Sequence, residues 1–252
     1  MKNFSFIDII LPTYNSKEFI CKSVSSVFNQ TYKYWRLIII DDASTDGTKE
    51  FLEKLRRQFK NSKKIIILSN KINRGQAFSR NLGLKYAKSK FIAFLDSDDY
   101  WDKNKLKKQI NYMLNNNYSL TYSDYKSIKG NITKKIVVPD FFNYKSFISN
   151  TSIATSTLMV ERKILKNISF PSLRLCEDYY FKSQILKKFN AYKCKGTYSF
   201  YRLRNNSLQS NRIKVLSTIW SINKNFNKMR FLSNLISIFL ISYNSLKKYG
   251  FR

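Results

Sequence analysis

Four short apolar runs punctuate the first hundred residues, and each is closed by a polar cluster. "FIDIIL" (6–11) ends at Pro12 and "TYN", "RLIIID" (36–41) runs into "DDAST", "KIIIL" (64–68) stops at "SN", and "FIAFL" (91–95) stops at "DSDD". Their length and β-branched content predict strands buried on both faces. Between the first two, Ile20, Val24, Val27 and Phe28 recur at helical spacing, with Asn15 and Glu18 as a capping-box-like pair at the start. "KEFLEKLRRQF" and "GQAFSRNLGLKYAK" (75–88) read as the next two helices. Strand and helix alternating in this way predict an α/β fold with a mostly parallel central sheet flanked by helices. In such sheets ligands bind at the carboxyl ends of the strands, where all four polar clusters fall.

From about residue 119 the pattern loosens. "SLTYSDY", "KKIVVP", "STLMV" and "TYSFYRL" (197–203) predict strands. "EDYYFKSQILKKF" (177–189) predicts a helix that turns Tyr180, Phe181, Ile185 and Leu186 to the core. The chain is expected to form one domain over 1–210, in halves 1–105 and 106–210, followed by a basic amphipathic helical tail over 211–252. Within the tail, "FLSNLISIFLISY" (231–243) is flanked by Lys224, Lys228 and Arg230 and by Lys247, Lys248 and Arg252. It falls short of the ~20 apolar residues needed to span a bilayer. The expectation is a helix lying in a membrane interface, against the competing reading of a helix packed on the protein's own core.

Composition narrows the chemistry. The 46 basic and 16 acidic residues give a net charge of +30, which favours polyanionic partners such as anionic lipid, phosphorylated substrates or nucleic acid. The Lys-, Asn- and Ile-rich usage of an AT-rich coding genome accounts for part of that charge. Three cysteines without a CxxC pair argue against a disulfide framework and fit a reducing compartment. The start "MKNFSFIDIILP" lacks the apolar core of a signal peptide. The chain contains no histidine. Ser-His and Cys-His nucleophiles are therefore excluded, a general base must be a carboxylate, Lys, Tyr or Cys, and a metal must be a hard cation held by oxygen.

The strand ends suggest a site. Asp96, Asp98 and Asp99 crowd one turn and repel one another unless a cation or solvent compensates; they form half of a divalent-metal site, or a turn that caps a helix near Asp102. Asp42 is placed to accept from a base or ribose, or to make an Asx-turn. Tyr14 offers a flat face to a nucleobase, or packs as an ordinary aromatic. Arg74 and Arg80 suit a diphosphate, or are solvated. GxxxxGK[ST] and GxGxxG are both absent, so neither a P-loop nor a dinucleotide fold is supported.

"IDIILPTYNSKEFICKSVSSVFNQTY", "LIIIDDASTDGT", "NRGQAFSRNLGLKYAKSKFIAFLDSDD" and the later "EDYYF" resemble, in order and spacing, the serial motifs of family 2 glycosyltransferases, which share the GT-A fold. The likeness is close over about 6–105 and looser over 155–210. It implies that the first half binds the nucleotide and the second the acceptor. Pro12, Thr13, Tyr14, Asn15, Asp42, Arg80, Asp96 and Ser97 would hold the nucleotide-sugar. Asp96, Asp98 and Asp99 match the DxD region and would contact Mn²⁺ or Mg²⁺ at the diphosphate. Asp178, with Glu177 beside it, matches the catalytic base. Two departures stand out. Arg202 and Arg204 lie in "YRLRNNSLQS" (201–210), where relatives often carry a His, and "ISFPSLRLC" replaces a Gly-Gly-Phe-like turn before the ED pair.

The expected function is an inverting, metal-dependent transfer from a nucleotide-sugar, a UDP-sugar first among them, to a lipid-linked or lipopolysaccharide- or capsule-type glycan. It would take place in the cytoplasm, at the inner face of a bacterial membrane. A nucleotidyltransferase is the first alternative, but it would show a Gly- and Lys/Arg-rich loop after the first strand. A nucleic-acid-binding protein is the second, and no base-stacking module supports it, so no nucleic-acid partner is expected.

Overall fold

The four predicted strands form side by side. The computed structural model describes residues 5–60, 62–204 and 211–249. β1 (Ile7–Thr13), α1 (Lys17–Phe28), β2 (Trp35–Asp41), α2 (Thr48–Gln58), β3 (Ile65–Ser69), α3 (Gln76–Tyr86) and β4 (Phe91–Phe94) follow one another. β2 and β4 are both parallel to β1, and β3 is parallel to β2. The second half supplies β5 (Tyr100–Trp101), α4 (Lys105–Asn116), β6 (Leu120–Lys129), β7 (Ile132–Ile136), β8 (Phe141–Phe142), α5 (Tyr144–Phe147), β9 (Met159–Glu161), α6 (Glu177–Leu186) and β10 (Ala191–Arg202). The tail forms α7 (Arg212–Asn225) and α8 (Phe231–Tyr249). One sheet runs β3-β2-β1-β4-β9-β6-β10-β5, with β7 paired to β6 and β8 to β10. Beyond β4 the sheet is mixed. β9 runs antiparallel to both β4 and β6, while β10 is parallel to β6.

Alternation along β1 explains why its sequence reads as continuously apolar. Ile7, Ile9 and Leu11 pack with α1, α2 and α4 on one face, and Ile10 packs with α3 and α6 on the other. Fully burying each such side chain contributes roughly 1.5–3 kcal/mol. Asp8 is the polar exception in this run. It is buried, yet it accepts from Arg36 at 2.8 and 3.0 Å and from the Lys88 and Ser89 amides, so its charge is paired. Pro12 lies in this central strand without loss, because the β4 register ends at Ile10–Phe94 and its missing N–H faces no ladder. α3 lies close against the sheet: a Cβ added to Gly83 would meet Ile10 Cγ2 at 2.6 Å.

Three local expectations are corrected. Asn15 does not cap α1. It takes a left-handed φ of 46° and ties to the loop after β2, while Ser16 occupies the helix-start position. The aspartates of "DSDD" do not cap α4 either; its N-cap position is Asn104, whose amide donates to Asp102 at 2.8 Å. "STLMV" opens not as a strand but as a 3₁₀ turn over Thr155–Thr157, pinned by Thr157 Oγ1 on the Ala154 carbonyl at 2.7 Å, with strand geometry starting at Met159.

Candidate active site

The ends of β1, β2 and β4 are tied into one platform. The Asp42 amide donates to the Thr13 carbonyl at 2.8 Å, and the hydroxyls of Ser16 and Ser97 meet at 2.7 Å. The loops after β1 and β2 are cross-linked through Asn15 and Ser44, Asn15 and Thr45, and Ser16 and Thr48. Tyr14 stands at the rim, 46% exposed, as a stacking face requires. The hydroxyl of the preceding Thr13 is buried, with no hydrogen-bond partner among the described residues.

Asp42 is buried and largely occupied. Its carboxylate accepts from Asn70 Nδ2 at 2.7 Å and from the Arg74 and Gly75 amides at 3.0 and 2.7 Å, which fixes the loop that starts α3. The Asx-type contact considered for it belongs to its neighbour, since Asp41 accepts from the Ser44 hydroxyl at 2.5 Å and its amide at 3.3 Å. Arg74 lies exposed over the Phe78 ring.

The "DSDD" stretch is a tight turn, closed by the Asp99 amide on the Asp96 carbonyl at 3.0 Å. Ser23 of α1 donates to the Ser97 carbonyl at 2.7 Å and also contacts the Asp99 carbonyl. The three aspartates diverge. Asp99 points inward and accepts from Ser156 Oγ at 2.5 Å and the Arg202 amide at 3.0 Å. Burial first, then Asp98 and Asp96, push its carboxyl well above the usual range. Asp96 and Asp98 keep 18% and 27% of their side chains open. Asp98 is also raised, by burial and by Asp96, against the nearby Arg204 at 3.6 Å.

Asp96 and Asp98 each engage an arginine through one carboxylate oxygen, Oδ1 and Oδ2 respectively, and their second oxygens suit Mg²⁺ or Mn²⁺, which takes one or two protein carboxylates and fills its other positions with water and phosphate oxygens. Among the described residues no three His, Cys, Asp or Glu side chains converge on a metal position. Asp99, with both oxygens already engaged, is the least suited of the three.

Arg80, expected from the sequence as a diphosphate ligand, is buried and already paired with carboxylates. It is 2% exposed, and its guanidinium spans Asp96 at 2.6 Å and Glu177 at 2.7 Å. Burial alone would lower its pKa, but Asp96, Glu177 and Asp178 together raise it. The fork thus locks the β4 turn to the start of α6. Asp178 follows Glu177 and accepts from Lys182 Nζ at 2.8 Å and Thr155 Oγ1 at 3.0 Å. Lys182 donates in turn to the Ile153 carbonyl at 2.8 Å. Burial works to raise Asp178, but Lys182, Arg80 and Thr155 outweigh it and hold the carboxylate at about 2. Cys176 precedes α6 with a left-handed φ of 58°.

Several supporting residues were not singled out from sequence: Ser16, Ser23, Thr155, Ser156 and Lys182. Ser23 did leave a signal, as a polar residue on the apolar face that carries Ile20, Val24 and Val27. Of the basic residues after β10, Arg202 lies over the Phe19 and Tyr100 rings and Arg204 stands beside Asp98. Residues 205–210 of that segment lie outside the described residues.

The chain is similar to known proteins in sequence and in fold. Across 97% of this chain and 95% of its own length, the Escherichia coli UDP-Glc:alpha-D-GlcNAc-diphosphoundecaprenol beta-1,3-glucosyltransferase WfgD is 39% identical. S. aureus TarS in complex with UDP-GlcNAc superposes with a TM-score of 0.70 at 22% identity, over 98% of this chain and 73% of that one. The mannosyltransferase PcManGT from Pyrobaculum calidifontis, in complex with GDP-Man and Mn²⁺, gives a TM-score of 0.71 at 14% identity, over 95% and 70%. The family model described as "Glycosyl transferase family 2" matches residues 8–202, from the buried Asp8 of β1 to the end of β10. The chain belongs to glycosyl transferase family 2 and is a glycosyltransferase.

Proposed function

We propose that the enzyme transfers a hexosyl group from a UDP-sugar to a hydroxyl of a lipid-diphosphate-linked glycan, with inversion at the anomeric carbon. The observation that carries this reading is the Arg80 fork, which brings the DxD turn and the ED pair into one site. The near full-length likeness to a UDP-Glc-dependent transferase acting on GlcNAc-diphosphoundecaprenol supports both donor and acceptor classes.

The donor's nucleoside lies along Thr13 and Tyr14 at the end of β1. Its diphosphate faces Asp96 and Asp98, which would hold a Mn²⁺ or Mg²⁺ ion; when bound, that ion supplies positive charge to the departing phosphate oxygens. The Mn²⁺ found with PcManGT is consistent with this assignment. Arg204 stands close enough to Asp98 to add charge to the same oxygens.

Asp178 serves as general base. The acceptor oxygen forms a bond to the anomeric carbon as the bond from that carbon to the diphosphate breaks, and the electron pair leaves with the nucleoside diphosphate. The acceptor's proton passes to the Asp178 carboxylate. A base held at about 2 is always ionised at neutral pH but has little proton affinity. Transfer is therefore late, when the new carbon–oxygen bond has made the hydroxyl strongly acidic. One displacement inverts the configuration.

Incubation with UDP-glucose, UDP-GlcNAc and UDP-galactose, Mn²⁺ or Mg²⁺ and a GlcNAc-diphospho-lipid tests the proposal. It predicts a β-linked product from an α-linked donor, visible in the anomeric proton coupling. An α-linked product would overturn inversion, and no transfer from any UDP-sugar would overturn the donor class.

A further inference from the structure

α8 is amphipathic in the reverse of the usual sense. Asn234, Ser237 and Asn244 face the protein beside Ile238 and Ile241, while most of its large apolar residues face out. Asn234 and Ser237 are buried and meet Asn223 of α7 at 3.0 and 3.1 Å; Ser237 also donates to the Ile148 carbonyl at 2.6 Å, and Asn244 to the Ser149 carbonyl at 3.0 Å. Asn223 accepts from the Tyr179 hydroxyl of α6 at 2.6 Å, so the helix is fastened to the enzyme by hydrogen bonds. On the opposite side Phe231, Leu232, Leu235, Ile236, Phe239 and Tyr243 are 51–71% exposed. At 100° per residue they fill an arc of about 140°. A stripe of this size is far from the scattered apolar exposure of ordinary surfaces.

We propose that this stripe docks on an anionic lipid bilayer and holds the enzyme at the membrane surface. Charge selects this occupant. Residues 211–252 contain no Asp or Glu, and Lys224, Lys228, Arg230 and Lys247 are exposed at the two ends of the stripe. Lys248 differs from them in lying over the Tyr125 ring, and Arg252 is outside the described residues. A second copy would bring the same cations onto the same stripe, in a chain of net charge +30, whereas an anionic leaflet neutralises them. Among the described residues no helix is long and apolar enough to cross a membrane, so the helix lies on the surface. The inner face of α8 is fastened to Ile148 and Ser149, just before the Ile153–Thr155 segment that holds Lys182 and Asp178. Docking therefore joins the membrane-bound helix, through one short segment, to the residues that hold the base. The bearing of this link on the reaction rests on the lipid-linked acceptor proposed above, while the docking itself rests on α8 alone.

Co-sedimentation of the full chain with phosphatidylglycerol–phosphatidylethanolamine vesicles, against phosphatidylcholine vesicles, tests it. The chain is expected to sediment with the anionic vesicles, less so with the neutral ones, and less in high salt. The double substitution Leu235→Ser, Phe239→Ser should weaken partitioning by roughly tenfold or more. Both side chains are exposed, so its urea midpoint should match the parent's. Wild type left in the supernatant, or a variant that sediments like wild type, would overturn the proposal. So would light scattering that shows a dimer dispersed by the same substitutions. UDP-sugar hydrolysis without vesicles should be unchanged in the variant. A chain that sediments but hydrolyses no UDP-sugar would still support docking while failing the transferase reading.

Discussion

Arg80 and Asp96 meet at 2.6 Å in a pair of which the arginine is 2% exposed, although the two residues arise on different elements, α3 and the turn after β4. The other arm of the same guanidinium holds Glu177 at 2.7 Å. Removing one partner from a buried ion pair costs about 3–5 kcal/mol, because the others stay buried and unpaired. Arg80→Met should therefore lower stability by about that much and abolish turnover. Arg80→Lys keeps the charge but not the fork, and should recover part of the stability with less of the activity. Paired urea melts and turnover assays check both.

Asp98 and Asp99 should separate in function despite being adjacent. An asparagine at 99 can still accept from the Arg202 amide and hydrogen-bond to Ser156, and it removes a buried like charge. Asp99→Asn is expected to keep its melting temperature or gain slightly, and to retain most turnover. Asp98→Asn should lose Mn²⁺- or Mg²⁺-dependent UDP affinity, measured by titration calorimetry with and without the metal.

The pH response of Asp178 follows from its partners. Its pKa is lowered from 3.8 to about 2, so its contribution to stability is fully present above the unfolded value and is lost as pH falls through the folded one. From pH 5 to 8 its titration should leave kcat flat. Lys182→Met removes the strongest opposing charge and leaves burial less opposed, so the acid limb of kcat should move upward. A pH–rate profile of both proteins checks the direction.

Lys105 gives the opposite sign. It is fully buried over the Trp101 ring at 3.9 Å, its Nζ has no hydrogen-bond partner among the described residues, and burial lowers its pKa from 10.5 to about 7. The unfolded chain binds this proton more tightly, so stability rises with pH between 7 and 10.5. Lys105→Met should raise the melting temperature most at or below pH 7, with the gain shrinking toward pH 9. Thermal melts across that range check it.

The parallel half of the sheet was legible because β1, β2 and β4 are buried on both faces and so read as unbroken apolar runs. β8 and β9 hold two and three residues, too few to show any period. The acidic turn after β4 was legible from its carboxylates; the divergence of its members was not. Asp99 is drawn inward by Ser156 and the Arg202 amide, respectively 57 and 103 residues away, which no local pattern encodes. Arg80 read as a diphosphate ligand or a solvated arginine, and its buried fork was not legible. Its place on the face that carries Ala77 and Gly83, where a Cβ would meet Ile10, was the available sign that it points inward. The tail illustrates the same limit: its apolar segment was readable, but only the Asn–Ser contacts show which face is turned outward.

The central claim divides labour between two carboxylates: Asp98 holds the leaving group and Asp178 takes the proton. The most direct measurement is kcat and UDP-sugar affinity for Asp178→Asn and Asp98→Asn, side by side under saturating metal. The account predicts that Asp178→Asn loses about 10²–10⁴ in kcat with donor affinity unchanged, while Asp98→Asn loses both. An Asp178→Asn enzyme that turns over like wild type, or one whose defect lies in donor affinity, would contradict it.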